Sequence, residues 1–254
     1  MAPSGIPPGG VGKFTGAARL CAHESRAPRQ YASPMRIVIA GGHGKIALRL
    51  ARLLAARGDR PVALIRNPDH TQDVVDAGAE PVVIDLEQAS VTELTEKIMG
   101  ADAVVFAAGA GPGSGAARKS TVDHKAASLT ANAAALAGVR RLVQISAINV
   151  DQPVPEGADE VWAAYVAAKK AADDDLKEHD LDLDWTILRP GRLTDEAGTG
   201  QVDLGEAVER HDVTRDDVAA VIVALLDEPG TAKKVLNLVN GRTPVLEAVR
   251  AVAG

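Results

Sequence analysis

Short runs of β-branched residues alternate along this chain with longer segments in which apolar residues recur every three or four positions. The short runs are typical of buried strands, and the longer segments are typical of amphipathic helices. Strands are predicted at residues 36–40, 61–65, 81–84, 103–107, 141–145, 185–188 and 235–239, and helices at residues 46–56, 69–77, 91–99, 121–137, 159–178, 216–226 and 244–252. This alternation predicts a single α/β domain with a doubly wound, mostly parallel Rossmann-type sheet and helices on both faces.

The carboxyl ends of the strands are where a ligand site is expected. Right-handed crossovers place these ends along one edge of a parallel sheet, and doubly wound folds bind their ligands at that edge. The folded domain is expected to cover residues 35–254, because 46% hydrophobic residues can supply its core. Residues 1–34 are rich in Pro, Gly and Arg and are predicted to be a disordered extension.

Charge and cysteine usage narrow the partners that the chain is expected to have. A formal net charge of −6 leaves no basic footprint for nucleic acid, and no apolar run reaches about 18 residues, the length that a membrane-spanning helix needs. The single cysteine, Cys21, excludes an internal disulfide and a cysteine-based metal site, and the histidines show no metal-ligand spacing. We therefore expect a soluble, cytoplasmic monomer or homodimer that binds no metal and acts on a small molecule.

The first predicted strand runs directly into a glycine-rich turn that a helix follows. Gly41 can make the tight turn, Gly44 lets the backbone approach a pyrophosphate, and Ala47 lets the helix pack close to the strand. Free N–H groups at the helix N-terminus favour the phosphates. Glycine-rich turns of this kind also occur as ordinary tight turns that bind no ligand. The residues after the other strands are therefore needed to decide between these two interpretations. Cofactor contacts are predicted for Gly41, Gly42, His43, Gly44, Lys45 and Ile46.

Residues after the next strands extend the predicted cofactor site. Arg66 ends the second strand where dinucleotide folds carry an acid for NAD or a base for NADP. A guanidinium at this point predicts preference for NADP, with NAD still possible. Asp85 and Leu86 follow the third strand and are expected beside the adenine, although Asp85 could equally cap the start of a helix. The fourth strand ends in small residues that let the nicotinamide half of the cofactor approach the backbone, Ala107, Ala108 and Gly109.

Three polar residues are predicted to converge beside the nicotinamide. Ser146 follows the fifth strand, and Tyr165 and Lys169 lie four residues apart, on one face of a downstream helix. An ammonium near the phenol is expected to lower the pKa of Tyr165 and so permit proton transfer near neutral pH, while Ser146 polarises a carbonyl. The alternative is a surface pair of residues on the helix without a chemical role.

Taken together, these motifs resemble those of atypical short-chain dehydrogenases/reductases. The similarity covers residues 35–254 and lies with the small, single-domain NAD(P)H-binding branch that includes NmrA-like and flavin/biliverdin-reductase-like proteins. It extends to residues 172–176, 185–191 and 214–219. The resemblance implies that Pro190, Gly191 and Leu193 cross over the nicotinamide and that Lys169 also holds its ribose.

The sequence thus predicts an NADP-dependent reductase of a small carbonyl, quinone or similar acceptor, with Tyr165 as proton donor. Two other functions stay open. One is a non-catalytic NADP(H) sensor, and the other is an epimerase or dehydratase of a sugar-type substrate, for which residues 191–213 leave little room. The acidic run at residues 173–175 is expected to be a solvated helix face.

Overall fold

The computed structural model describes Met1, Ser33–Gly111 and Gly113–Gly254. Pro34–Gly254 form one compact unit. The predicted disorder of residues 1–34 falls, apart from Met1, Ser33 and Pro34, outside the described residues.

The centre of the fold is a sheet of nine strands in the order β11-β8-β10-β6-β5-β4-β1-β2-β3. Seven of them are parallel, while β8 runs antiparallel to both β10 and β11. A separate parallel pair is formed by β7 and β9. The strands are β1 Arg36–Ala40, β2 Arg60–Ile65, β3 Glu80–Val83, β4 Ala103–Phe106, β5 Arg141–Ile145, β6 Asp184–Pro190, β7 Arg192–Thr194, β8 Gln201–Gly205, β9 Asp212–Thr214, β10 Lys234–Asn240 and β11 Thr243–Pro244.

Helices cover both faces of this sheet, which confirms the predicted doubly wound fold. On one face, Leu50 of α1 and Ile222 of α7 belong to a fully buried aliphatic cluster; on the other, Leu94 of α3 and Leu176 of α6 belong to a second. Aliphatic burial on both faces is what a parallel sheet requires. The helices are α1 Lys45–Ala56, α2 Thr71–Asp76, α3 Val91–Ile98, α4 Ala116–Arg118, α5 Ala126–Leu136, α6 Glu160–Glu178, α7 Arg215–Asp227 and α8 Val245–Ala253.

The register of the central strands aligns their carboxyl ends. Ala40 at the end of β1 pairs with Leu64 of β2 on one side and with Phe106 of β4 on the other. The loops that follow these three strands therefore leave the sheet side by side, and the same edge receives the loop after β5. Local caps fix two helix starts nearby, since the side chains of Asp159 and Thr214 accept hydrogen bonds from the first turns of α6 and α7.

Two features differ from the sequence prediction. The helix expected at residues 121–137 is π-helical over Lys119–Lys125 before it becomes α5. This change of pitch buries Lys119 and Asp123 at the sheet edge, and π-helical turns are frequent at functional sites. The short strands β7, β8, β9 and β11 were not predicted, because their few residues acquire strand geometry only by pairing with each other or with β10.

None of the helices within the described ranges is both long enough and apolar enough to cross a membrane.

Candidate active site

The glycine turn after β1 packs closely against its neighbours. Gly41 has a φ of +81°, and a Cβ built there would lie 2.5 Å from the Cα of Ala108. Gly42 donates its N–H to the carbonyl of Leu64, and a Cβ there would lie 2.4 Å from the Cβ of Ala63. Gly42, a predicted cofactor contact, therefore packs against β2 and lines neither of the two clefts described below.

Helix α1 begins at Lys45 without a side-chain cap on its N-terminus. Gly44 precedes it in an extended conformation and is exposed. The first N–H groups of a helix have no partner within the helix, and they carry the positive end of its dipole. A helix N-terminus without a side-chain cap, preceded directly by a glycine, fits the diphosphate of a dinucleotide.

A first cleft of about 310 Å³ opens beside this turn and contains the predicted adenosine-side residues Arg66, Asp85 and Leu86. Arg66 donates to Glu87 at 3.0 Å. Arg118 donates to the same carboxylate at 2.8 Å, and this bond lowers the pKa of Glu87. Two guanidinium groups thus share the Glu87 carboxylate, and the carboxylate of Asp85 lines the same cleft.

His43 lies where the first cleft meets the second. Its ring stacks on that of His70, with centroids 3.5 Å apart, and its Nε2 is 2.7 Å from Asp73. These contacts hold the imidazole at the rim of both clefts. No group of three or more His, Cys, Asp or Glu side chains that could hold a metal ion occurs in the part of the chain that the structure describes.

A second cleft of about 840 Å³ continues from the first across the end of β4. It brings together the residues predicted for proton transfer with most of those predicted for the nicotinamide half. Pro190 and Gly191 line a third cavity, which shares Leu193, Ser146 and Tyr165 with the second cleft. The predicted residues that line the second cleft are His43, Gly44, Lys45, Ile46, Ala107, Ala108, Gly109, Ser146, Tyr165, Lys169 and Leu193.

Ser146 is held by a buried carboxylate behind it. Its Oγ donates to Asp173 at 2.8 Å, and Gln144 and Arg189 also donate to Asp173, at 3.0 Å and 2.9 Å. Burial raises the pKa of Asp173, while these three donors oppose that rise. Because the Ser146 hydroxyl directs its proton at Asp173, away from the cleft, it is not placed to polarise a carbonyl as the sequence predicted, and it offers oxygen lone pairs to the cleft instead.

Lys169 is buried and already partnered. Its Nζ donates to the carbonyl of Ile145 at 3.0 Å and lies 3.4 Å from the Oδ1 of Asp123. Asp123 is 1% exposed, accepts a hydrogen bond from the N–H of Ala110, and has no hydrogen-bond partner at Oδ1 among the described residues. The Lys169 ammonium therefore connects the end of β5 to the π-helical turn.

The predicted lowering of the Tyr165 pKa by Lys169 is wrong. The phenol is half-buried, and burial, followed by the nearby carboxylates of Asp123 and Asp173, raises its pKa above the usual value of about 10. The cation at its ring is Lys119, whose Nζ lies 5.4 Å from the ring centroid. Tyr165 is consequently a protonated phenol.

The acidic run at residues 173–175 is only partly a solvated face. Asp173 is fully buried, whereas Asp174 pairs with Lys177 at 2.7 Å at the surface. One signal in the sequence marks Asp173, because Tyr165, Lys169 and Asp173 are spaced by four and so share a helix face. No comparable local pattern marks Asp123 or Lys119, whose positions depend on the π-helical pitch.

The comparisons with known proteins agree with this geometry. Residues 41–229 match the model of the NAD(P)H-binding family. The chain belongs to this family. It shares the short-chain dehydrogenase/reductase-like fold that the sequence motifs resemble, and its ligand is therefore a nicotinamide dinucleotide.

Three relatives show how this family member compares with named proteins. A Bacillus subtilis protein named as an uncharacterized sugar epimerase, YhfK, is 35% identical over 217 residues, which are 85% of this chain and 99% of the relative. A Bacillus halodurans structure, assigned by name to NAD-dependent epimerases/dehydratases, has a TM-score of 0.77 at 34% identity and covers 85% of this chain and 99% of its own. The oxidoreductase ylbE of Lactococcus lactis has a TM-score of 0.75 at 29% identity, covering 85% and 96%.

Proposed function

We propose that this protein is an NADPH-dependent reductase of a small carbonyl compound, quinone or similar acceptor. The observation that carries the proposal is the position of Tyr165. Its phenol lines the same cleft as Ser146, Lys169 and the residues predicted for the nicotinamide half of the cofactor. A phenol that keeps its proton at neutral pH and lines this cleft can serve as the general acid of a reduction.

The residues around the clefts fit the cofactor in its phosphorylated form. The uncapped start of α1 suits the diphosphate, and Arg66 with Arg118 would hold the 2′-phosphate, since guanidinium groups bind phosphate through paired hydrogen bonds. Ala107, Ala108 and Gly109 would lie against the nicotinamide half. NADPH, when bound, supplies a hydride ion to the acceptor.

The protein's own part in the reaction is proton delivery and orientation. Because Ser146 donates to Asp173, it would accept a hydrogen bond from the substrate side, and the carbonyl oxygen would take its hydrogen bond and then its proton from Tyr165. Lys169, tied to the Ile145 carbonyl and to Asp123, would fix α6 against the end of β5 and so set the position of the phenol.

A second candidate is an epimerase or dehydratase of sugar-type substrates, which the names of two relatives favour. Such chemistry begins with removal of a proton from a substrate hydroxyl, so it calls for a phenolate of lowered pKa. The segment between β6 and α7 disfavours it, because its three strands of three, five and three residues leave little structure to enclose a nucleotide sugar.

A direct assay separates the two candidates. The purified protein is screened for NADPH oxidation with quinones, flavins and aldehydes, and in parallel for conversion of nucleoside-diphosphate sugars in the presence of NAD. We expect protein-dependent oxidation of NADPH with at least one acceptor class and no sugar conversion. Sugar conversion without any NADPH oxidation would overturn the proposal.

A further inference from the structure

The third cavity lies next to the reacting groups and has a volume of about 460 Å³. It shares Ser146 and Tyr165 with the second cleft and is enclosed by the loop after β5, the start of α6 and the residues after β6. Its size falls within the range of about 300–1,000 Å³ that small-molecule sites occupy. A compound held here would meet the phenol of Tyr165 without displacing the cofactor from the first cleft.

The charge that lines this cavity has one sign. Among the described residues on its wall, the charged side chains are Arg192, Arg210 and Arg215, and none is a carboxylate. The whole chain carries a formal charge of −6, so the charge that lines this cavity has the opposite sign to the net charge of the protein. Concave surfaces lined by one sign of charge concentrate ligands of the other sign.

Neighbouring carboxylates compensate this charge only in part. Arg192 donates to Asp212 at 2.8 Å, and Arg215 lies 3.0 Å from Asp195. Asp195 is also 2.6 Å from the Nζ of Lys45, so it is shared between cations. Arg210 is exposed and forms no ion pair with any described residue. Guanidinium groups are therefore available to an incoming anion.

The rest of the wall suits an organic body. Trp162 and Val166 of α6 face this cavity together with Pro153, Pro155 and Leu193. Apolar walls with a few polar or charged anchors are the usual composition of a small-molecule site. A wall that carries both apolar side chains and arginines calls for a ligand with an apolar body and an anionic group.

Building on the proposed reductase function, we propose that the substrate is a small carbonyl compound that carries a carboxylate or phosphate group. Its anionic group binds Arg210 and Arg215, its body packs on Trp162 and the prolines, and its carbonyl meets Tyr165. Guanidinium groups match both anions, because two parallel N–H donors fit two oxygens.

Matched aldehydes test the charge requirement. 4-Formylbenzoate, 4-formylphenyl phosphate and the uncharged methyl 4-formylbenzoate have the same ring and aldehyde but differ in charge. With saturating NADPH, we expect kcat/KM for at least one anion to exceed that of the ester by about 10-fold or more, as for loss of one charge-assisted hydrogen bond. Whether the carboxylate or the phosphate is preferred identifies the anion.

Arginine variants locate the effect. Arg210→Met is expected to reduce the anion-to-ester ratio by about 10-fold or more, as for loss of one charge-assisted hydrogen bond. Arg242→Met removes an exposed arginine at the turn between β10 and β11 and should leave the ratio unchanged. A preference for the anion that survives in Arg210→Met, or that falls equally in Arg242→Met, would overturn the assignment.

Calorimetric titration of the NADP-loaded protein with the same three compounds separates this inference from the reductase function. Preferential binding of an anion without turnover of any aldehyde would support the anion site and count against the reductase. Turnover of the ester as efficiently as of both anions would leave the reductase standing and refute the anion site. Absence of binding by both anions refutes it as well.

Discussion

Ser146 and Asp173 are joined by a buried hydrogen bond of 2.8 Å, in which the serine hydroxyl donates to the carboxylate. The same carboxylate accepts from Arg189, whose side chain also pairs with the exposed Asp151. A buried anion thus fixes the direction of the Ser146 proton and at the same time neutralises a buried guanidinium. The orientation of the Ser146 hydroxyl and the stability of the buried Arg189 therefore both depend on Asp173.

Removal of Asp173 is expected to destabilise the protein strongly. Asp173→Ala leaves the buried Arg189 with only the exposed carboxylate of Asp151 and removes the acceptor of Gln144 and Ser146, so the free energy of unfolding should fall by about 3 kcal/mol. Asp174→Ala, one residue further on, removes the surface ion pairs with Lys170 and Lys177 and should cost about 1 kcal/mol or less. Urea denaturation of both variants measures the difference. Equal losses in the two variants would contradict the role given to Asp173.

The pKa of Tyr165 predicts the pH dependence of reduction. The acid is active when protonated, and a raised pKa keeps it protonated to higher pH. The rate of reduction should therefore show no decline due to this phenol as the pH rises to about 10, the usual tyrosine pKa. A pH profile of kcat provides the measurement. An alkaline decline centred near neutral pH that disappears in Tyr165→Phe would show that the phenol ionises easily after all.

Cofactor preference should depend on the balance between Arg66 and Glu87. Arg66→Ala should weaken NADPH binding by about 1.5–3 kcal/mol, the value of a charge-assisted hydrogen bond, and leave NADH binding nearly unchanged. Glu87→Gln should act in the opposite direction, because it releases both Arg66 and Arg118 from their shared carboxylate. Fluorescence titration with both cofactors measures these changes.

The matched control for this pair is Arg60→Ala, which removes an exposed arginine at the opposite end of β2. It should change the affinity for neither cofactor. Equal affinities of the wild-type protein for NADPH and NADH would contradict the assignment of Arg66 to the 2′-phosphate.

The local sequence predicts those parts of the fold whose signals are local. The apolar run at β1, the glycine turn and the helix predicted at residues 216–226 each depend on neighbouring residues, and the structure contains all three. The strand pair β7 and β9 could not be found in this way, because Arg192 meets Asp212 only after the chain has returned from β8.

In the candidate site, too, the local sequence predicts some features and not others. Ser146, Tyr165 and Lys169 were identifiable by their order and spacing, and the structure brings them to one cleft. The charged groups around these three side chains could not be predicted, because they come from segments that are distant in the sequence. Burial of the phenol, followed by the carboxylates of Asp123 and Asp173, raises the pKa of Tyr165, whereas the Lys169 ammonium that was expected to lower it lies against Asp123.

The most direct test of the account is the substitution Tyr165→Phe, which keeps the ring and removes only the proton donor. Stopped-flow kinetics with a reducible aldehyde and titration with NADPH are measured on the same preparations, with Arg60→Ala, at the opposite end of β2, as a control outside the site. We predict that Tyr165→Phe lowers kcat by about 10²-fold or more, the usual worth of a positioned acid, while the dissociation constant for NADPH stays within about 2-fold. Full activity in Tyr165→Phe would contradict the claim that this phenol delivers the proton.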